Sequence, residues 1–155
     1  ALVLPKYHDE QDCAHILLQL YNYKGTVHSY NKDITEAIKQ FMTAVRIAKE
    51  VNMKTEVVNE YNYALLMALK KDRLTYEPIL NEAFEYGYSF SDEDLKIINL
   101  SFIASTYLDK TYSLDSSKRD EISKRMSDLY GEDWQLSTKE LAAKLDAEYS
   151  LRNQK

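Results

Sequence analysis

Hydrophobic residues recur at steps of three and four through most of the chain, which is the spacing of a helix with one buried face. The clearest such stretch lies at about 34–51. Its apolar positions are Ile34, Ala37, Ile38, Phe41, Ala44, Val45 and Ala48. A preceding helix is predicted from about Asp9 to Ser29, with Asn31, Lys32 and Asp33 as the break. The pattern therefore predicts a helical hairpin near the N-terminus.

Turn residues are scarce, with 3 Gly and 2 Pro among 155 residues. An all-β domain would need turn residues every eight to twelve positions, so an all-α fold is expected. Pro78 suits the first turn of a helix that starts near Thr75, and Gly87 and Gly131 are expected to end helices. A chain of this length fits one domain, here 1–155, with a core of its own.

A final helix is predicted at 137–152. The run Ser137-Thr138-Lys139-Glu140 matches a capping box, in which the Ser and Glu side chains bond the free backbone amides at a helix start. Leu141, Ala142 and Leu145 then form an apolar stripe. Because a stack of helical hairpins needs a polar outer face at its end, we interpret this helix as a cap.

An internal repeat is marked by an aromatic residue, a small residue four positions later, and an Ala–aromatic–Ala series in the second helix. Tyr21, Gly25, Ala37, Phe41 and Ala44 follow this order. The pattern resembles the tetratricopeptide repeat, in which the small residues let two helices approach closely. Lys24 and His28 stand where that family usually has Leu and Tyr.

Two weaker copies follow the first. The second has Ala64 in the small position, Asp72 in the turn, and then Leu80 and Ala83. The third has Asn99-Leu100-Ser101, Asp109 in the turn, and a helix at about 117–130 that keeps Ile122, Met126 and Leu129. Both steps between copies exceed the basic period of about 34 residues.

The resemblance implies an α-solenoid of about three hairpins, at about 9–51, 55–87 and 92–130, closed by the C-terminal helix. It also implies a non-catalytic domain that binds a protein or peptide. We expect the sensory or oligomerisation domain of a bacterial transcriptional regulator, and the alternative is a chaperone for a secreted protein. A non-repeat helical bundle remains an alternative fold, and an enzyme remains an alternative function. The first residue is Ala1, so we expect a processed protein or an excised domain.

In the family the first helices line the binding groove. By register, that groove would carry Asn22, Thr26, Tyr30, Tyr61, Asn62, Leu65, Ile98, Asn99 and Phe102. Asn amides can donate to and accept from a peptide backbone, while the apolar residues would hold side chains. The alternative for Asn62 and Asn99 is a structural role, capping or bridging neighbouring helices. Among the 13 tyrosines, Tyr21, Tyr63 and Tyr76 are expected to pack between helices.

No residue pattern indicates catalysis or a cofactor. His8, His15 and His28 lack metal-ligand spacing, and isolated glycines form no phosphate-binding loop. The lone Cys13 is expected to be a buried structural residue. A net charge of −5 argues against direct nucleic-acid binding. No apolar run is long enough to span a membrane, so a cytoplasmic protein is expected, with homo-oligomerisation left open.

Overall fold

The computed structural model describes residues 3–136 and positions 140, 143 and 147, with side chains from Glu10 onward. No strand occurs in this part of the chain, which confirms the all-α class. The helices are α1 (Val3–Tyr30), α2 (Ile34–Glu50), α3 (Lys54–Leu69), α4 (Arg73–Tyr88), α5 (Asp92–Ile97), α6 (Ser101–Lys110) and α7 (Ser116–Tyr130). Helical backbone resumes at 134–136.

The predicted C-terminal cap is only partly described. Positions 140, 143 and 147 are helical. The first three residues of the capping box and the stripe of Leu141, Ala142 and Leu145 lie outside the described residues. Contacts divide the chain into two compact units, residues 1–75 and residues 76–155.

The first unit contains α1, α2 and α3, packed in chain order. The break between α1 and α2 falls where the sequence predicts it, because Lys32 has a left-handed backbone (φ 62°) and the Asp33 side chain accepts a hydrogen bond from the Glu36 amide. Asn52 repeats the left-handed turn (φ 56°) after α2. The predicted apolar face of α2 is buried at Ala37, Ile38, Phe41, Ala44, Val45 and Ala48.

A close approach of α1 and α2 explains the small residue in the first repeat. A Cβ atom on Gly25 would lie 2.7 Å from the Phe41 ring, closer than carbon atoms can pack. The ring also stacks on Tyr63 of α3, with centroids 5.4 Å apart. Phe41 thus fills the space among three helices, and only glycine fits at position 25 without a shift.

The second unit contains most of α4 and all of α5, α6 and α7. The Phe84 and Tyr107 rings stack with centroids 3.8 Å apart, and Ile122 and Met126 of α7 are buried. Gly131 ends α7 with φ 96°, as predicted.

Gly87 and Pro78 have roles other than those predicted. Gly87 lies inside α4, where a Cβ would come within 2.3 Å of Leu100 Cδ1, so its role is close packing and not termination. Pro78 lies beyond the first turn, since α4 begins at Arg73. Its missing amide leaves the Leu74 carbonyl without a helical partner, but both residues are exposed, so water can solvate that carbonyl.

The third predicted hairpin is also different in detail. Its first helix is divided into α5 and α6, with Ile98, Asn99 and Leu100 between them. The Asn99 side chain accepts a hydrogen bond from the Ser101 amide at 2.7 Å, which starts α6. Asp109, expected in a turn, is still helical in α6.

Candidate functional site

Three residues of the predicted groove are buried. Tyr61 and Leu65 of α3 belong to the core, and Ile98 is buried in the segment after α5. They have almost no surface with which to contact a partner. We therefore leave them out of the binding surface proposed below.

Asn62, Asn99 and Phe102 of the predicted groove differ in exposure and in hydrogen bonding. Asn99 is exposed, and its bond to the Ser101 amide is the structural alternative named above. Phe102 is half-buried on α6. Asn62 is half-buried on α3, and its Oδ1 atom is buried with no hydrogen-bond partner in the described part of the chain. An unsatisfied buried acceptor is uncommon in folded proteins.

The predicted residues of α1 form a half-buried polar row. Asn22, Thr26 and Tyr30 recur every four residues, so they share one side of the helix. The Thr26 hydroxyl donates to the Asn22 carbonyl at 2.9 Å, and the buried Ser29 hydroxyl donates to the Thr26 carbonyl at 2.6 Å. Within the row, the Thr26 hydroxyl is therefore held by its own helix.

The centre of the site is a pair that joins α1 to α3. The Asn22 amide nitrogen donates to both oxygens of Glu60, at 2.8 and 2.9 Å. Glu60 is only 4% exposed. A buried carboxyl group needs such partners, because the charged form is costly to remove from water.

Burial raises the pKa of Glu60 from 4.5 to about 7. The hydrogen bond from Asn22 lowers this pKa and the nearby charge of Glu56 raises it, but loss of water is the larger effect. The pKa of Tyr63 is also raised. Burial is the larger cause, and the charge of Glu60 is the smaller one. The site thus contains a carboxyl group that changes its charge near neutral pH.

Glu60 was not among the predicted site residues. Its only signal in the sequence is a charged residue between Val57 and Ala64 on the buried side of α3. Charges at such positions are rare in cores unless they are paired. The partner, 38 residues away in the sequence, could not be identified from spacing alone.

A second surface feature is an open groove of about 480 Å³ between α1 and α2. Its walls include Cys13, Leu17, Ile47 and Val51. Cys13 is exposed, so the expectation of a buried structural cysteine is wrong.

Comparison of the chain with family models, with curated proteins and with solved structures gives no match. Within the described residues, no group of three or more His, Cys, Asp or Glu side chains could hold a metal ion. No described helix combines the length and apolar character needed to cross a bilayer.

Proposed function

We propose that this chain is a non-catalytic domain of tetratricopeptide-like hairpins that binds a protein or peptide through the surface around Asn22 and Glu60. The observation that carries the proposal is the fixed orientation of the Asn22 amide. Its Nδ2 group faces the Glu60 carboxyl group, with both carboxyl oxygens within hydrogen-bond distance, so its Oδ1 is directed away from that group.

An oriented amide oxygen is suited to accept a hydrogen bond from a peptide backbone. Free asparagine side chains lose rotamer entropy when they bind, and a side chain that is already held loses less. Glu60 performs this holding from inside the protein, since it is buried while Asn22 is half-exposed. The resemblance of the first repeat to a peptide-binding family agrees with this use.

The neighbouring groups supply further recognition. Thr26 lies one turn after Asn22 on the same side of α1 and is half-exposed. Because Glu60 changes charge near pH 7, the potential at the site changes over the physiological range. We expect affinity for a peptide to depend on pH between about 6 and 8.

Peptide display against the purified protein tests the proposal. Peptides enriched from a random library would be synthesised with a fluorescent label, and their Kd values measured by anisotropy at pH 6 and pH 8. Asn22→Ala should weaken binding by about 5- to 100-fold, as removal of a central hydrogen-bonding group does. Lys39→Ala, an exposed residue of α2, is the control and should leave Kd unchanged.

The fold of each variant must be checked, because Asn22→Ala leaves the Glu60 carboxyl group without its partner. The double variant with Glu60→Gln removes that buried charge and should melt close to the parent protein while still binding weakly. Failure to enrich any peptide, or equal Kd values for well-folded Asn22→Ala and Lys39→Ala proteins, would refute the proposal.

A further inference from the structure

Helix α1 has two apolar faces, and among the residues that the structure describes only one of these faces is covered. Ala14, Leu18 and Gly25 are buried. On the other side an apolar stripe stays open to solvent. Its members are Cys13, which is exposed, Ile16 at 65% exposure, Leu20 at 46%, Tyr23 at 67% and Val27 at 36%.

The exposed residues are spaced 3, 4, 3 and 4 positions apart. This is the a and d spacing of a coiled coil, in which one helix packs along another with residues of each inserted between residues of the other. We call these five residues the α1 stripe. Scattered single apolar residues on a surface are ordinary, but a continuous stripe over four helical turns is typical of an interaction surface.

We propose that the α1 stripe binds the α1 stripe of a second copy of this chain, with the two helices antiparallel. The choice of a second copy rests on charge complementarity. Glu10 and Lys24 are both exposed and flank the stripe at equivalent e positions, two heptads apart. In an antiparallel pair e positions face each other, so Glu10 of each copy lies beside Lys24 of the other.

The same alignment pairs four of the five stripe residues with one another, and Val27 lies beyond this paired segment. Ile16 packs beside Leu20 of the second copy, and Cys13 packs beside its Tyr23. Leu17, which is 45% exposed and also at an e position, meets its own counterpart near the two-fold axis. The interface is thus self-complementary, as a two-fold dimer requires.

A parallel pair would be less favourable. There a g position faces the e position five residues later, which sets Asp12 beside Leu17 and Gln19 beside Lys24. Neither contact joins opposite charges. Parallel helices would also place the two Cys13 side chains together, whereas the antiparallel pair separates them by about 15 Å along the axis, since ten residues of helix rise about 15 Å.

Analytical ultracentrifugation of the whole chain tests the association. We expect a dimer of twice 18.1 kDa that becomes monomeric in the double variant Ile16→Glu and Leu20→Glu. Both residues are exposed, so circular dichroism should show an unchanged fold. The control is Leu74→Glu, at 89% exposure on α4, which should remain dimeric. A wild-type monomer at all concentrations, whether or not another protein's helix covers the stripe, would overturn the proposal.

Charge exchange tests the partner and its direction. Glu10→Lys alone and Lys24→Glu alone should each raise the dimer Kd about tenfold, because each sets like charges together at two symmetric places. The double exchange should return Kd to within about threefold of the parent. Equal Kd values for single and double exchanges would contradict the antiparallel contact.

Cross-linking gives an independent test of orientation. Mild oxidation should leave the wild type without a disulfide-linked dimer, because its two thiols are far apart. The Tyr23→Cys variant should form a linked dimer, and peptide mapping should join the segment containing position 13 to the segment containing position 23. A wild-type dimer linked through Cys13 alone would show parallel packing and overturn the proposal.

Discussion

The two units of the chain are stabilised in different ways. The first unit has three long helices, and its centre is the ring of Phe41 pressed between Gly25 and Tyr63. The second unit includes the short helices α5 and α6, and polar side chains of α7 bind carbonyls at the ends of α4, α5 and α6. Close apolar packing is prominent in the first unit, and hydrogen bonds from side chains to carbonyls at helix ends are prominent in the second.

Three residues of α7 each serve the end of a different helix. The Arg125 guanidinium donates to the carbonyls of Tyr88, the last residue of α4, and of Phe90, both at 2.7 Å. The Tyr130 hydroxyl contacts the Leu95 and Ile98 carbonyls around the end of α5 at 2.6 and 2.9 Å. In the same way Arg119 donates to the Leu108 and Thr111 carbonyls at the end of α6.

Helix length explains the bonds at the ends of α5 and α6. The last four carbonyls of any helix lack intrahelical partners, so short helices leave a larger share of their backbone unsatisfied. In α5, with six residues, capping groups are needed along most of its length. The short helices α5 and α6 therefore depend on long polar side chains of α7, while the helices of the first unit can depend on a tightly packed interior.

The largest loss of stability is expected when the packing of the first unit is disrupted. Ala44→Trp places a large ring on the fully buried face of α2 and should destabilise the protein by on the order of 3 kcal/mol. Urea denaturation followed by circular dichroism measures the change. Lys39→Trp, on the exposed side of the same helix, is the control, and a parental midpoint for Ala44→Trp would show that the face is loosely packed.

The second largest loss is expected when the hydrogen bonds of α7 to helix ends in the second unit are removed. Arg125→Ala removes the donors to Tyr88 and Phe90 and an ion pair with Asp92, and should cost about 2–3 kcal/mol. Arg46→Ala, an exposed arginine of α2, should change stability by less than about 0.5 kcal/mol. Similar small changes in both variants would mean that water replaces Arg125 without loss.

The third effect concerns Glu60, a buried carboxyl group among the described residues of the first unit. Folded Glu60 has a pKa raised to about 7, so it retains its proton from about pH 4.5 to 7 while the unfolded chain releases it. Stability from this group is therefore full below about pH 4.5 and is lost as pH rises through 7. Glu60→Gln should stabilise the protein by about 2 kcal/mol at pH 8 and change it little at pH 5.

The difference between Glu60→Gln and wild-type denaturation at the two pH values isolates this group from all others that titrate. Glu85→Gln, at an exposed position of α4, is the matched control and should show the same small difference at both. A Glu60→Gln effect that does not vary with pH would mean that Glu60 is better solvated than its burial indicates.

The smallest expected effect concerns Gly25→Ala. Alanine gains about 1 kcal/mol of helix propensity, but its Cβ would overlap the Phe41 ring, which is itself fully buried. We expect a net destabilisation of about 1 kcal/mol by urea denaturation. A net gain in stability would show that Phe41 can move aside and that the close approach is not required.

The sequence was most informative where local signals agree. The hairpin of α1 and α2 could be predicted within a few residues, except for the longer N-terminal extent of α1, because a strong helical period meets Asp33 at its break. The division between α5 and α6 could not, since it depends on an Asn99 side chain that could equally have been bridging helices. Hydrophobic periodicity alone does not distinguish these two roles of Asn99.

The candidate site was predicted only on the α1 side. Asn22 and Thr26 were expected there, but the Asn22 partner, Glu60, is brought close by packing between distant parts of the chain. Cys13 was expected to be buried because free cysteines usually are, but it lies on a side of α1 that the described residues leave exposed. Burial, unlike helix formation, is set by tertiary contacts.

The raised pKa of Glu60 also couples ligand binding at the first unit to the uptake or release of protons. Because this pKa lies near 7, any event that adds or removes water around the carboxyl group at neutral pH must take up or release a fraction of a proton. A ligand that supplies a positive charge would expel protons, and one that excludes water would absorb them. Titration calorimetry in buffers of different ionisation enthalpy would count those protons and so reveal the chemical character of a ligand.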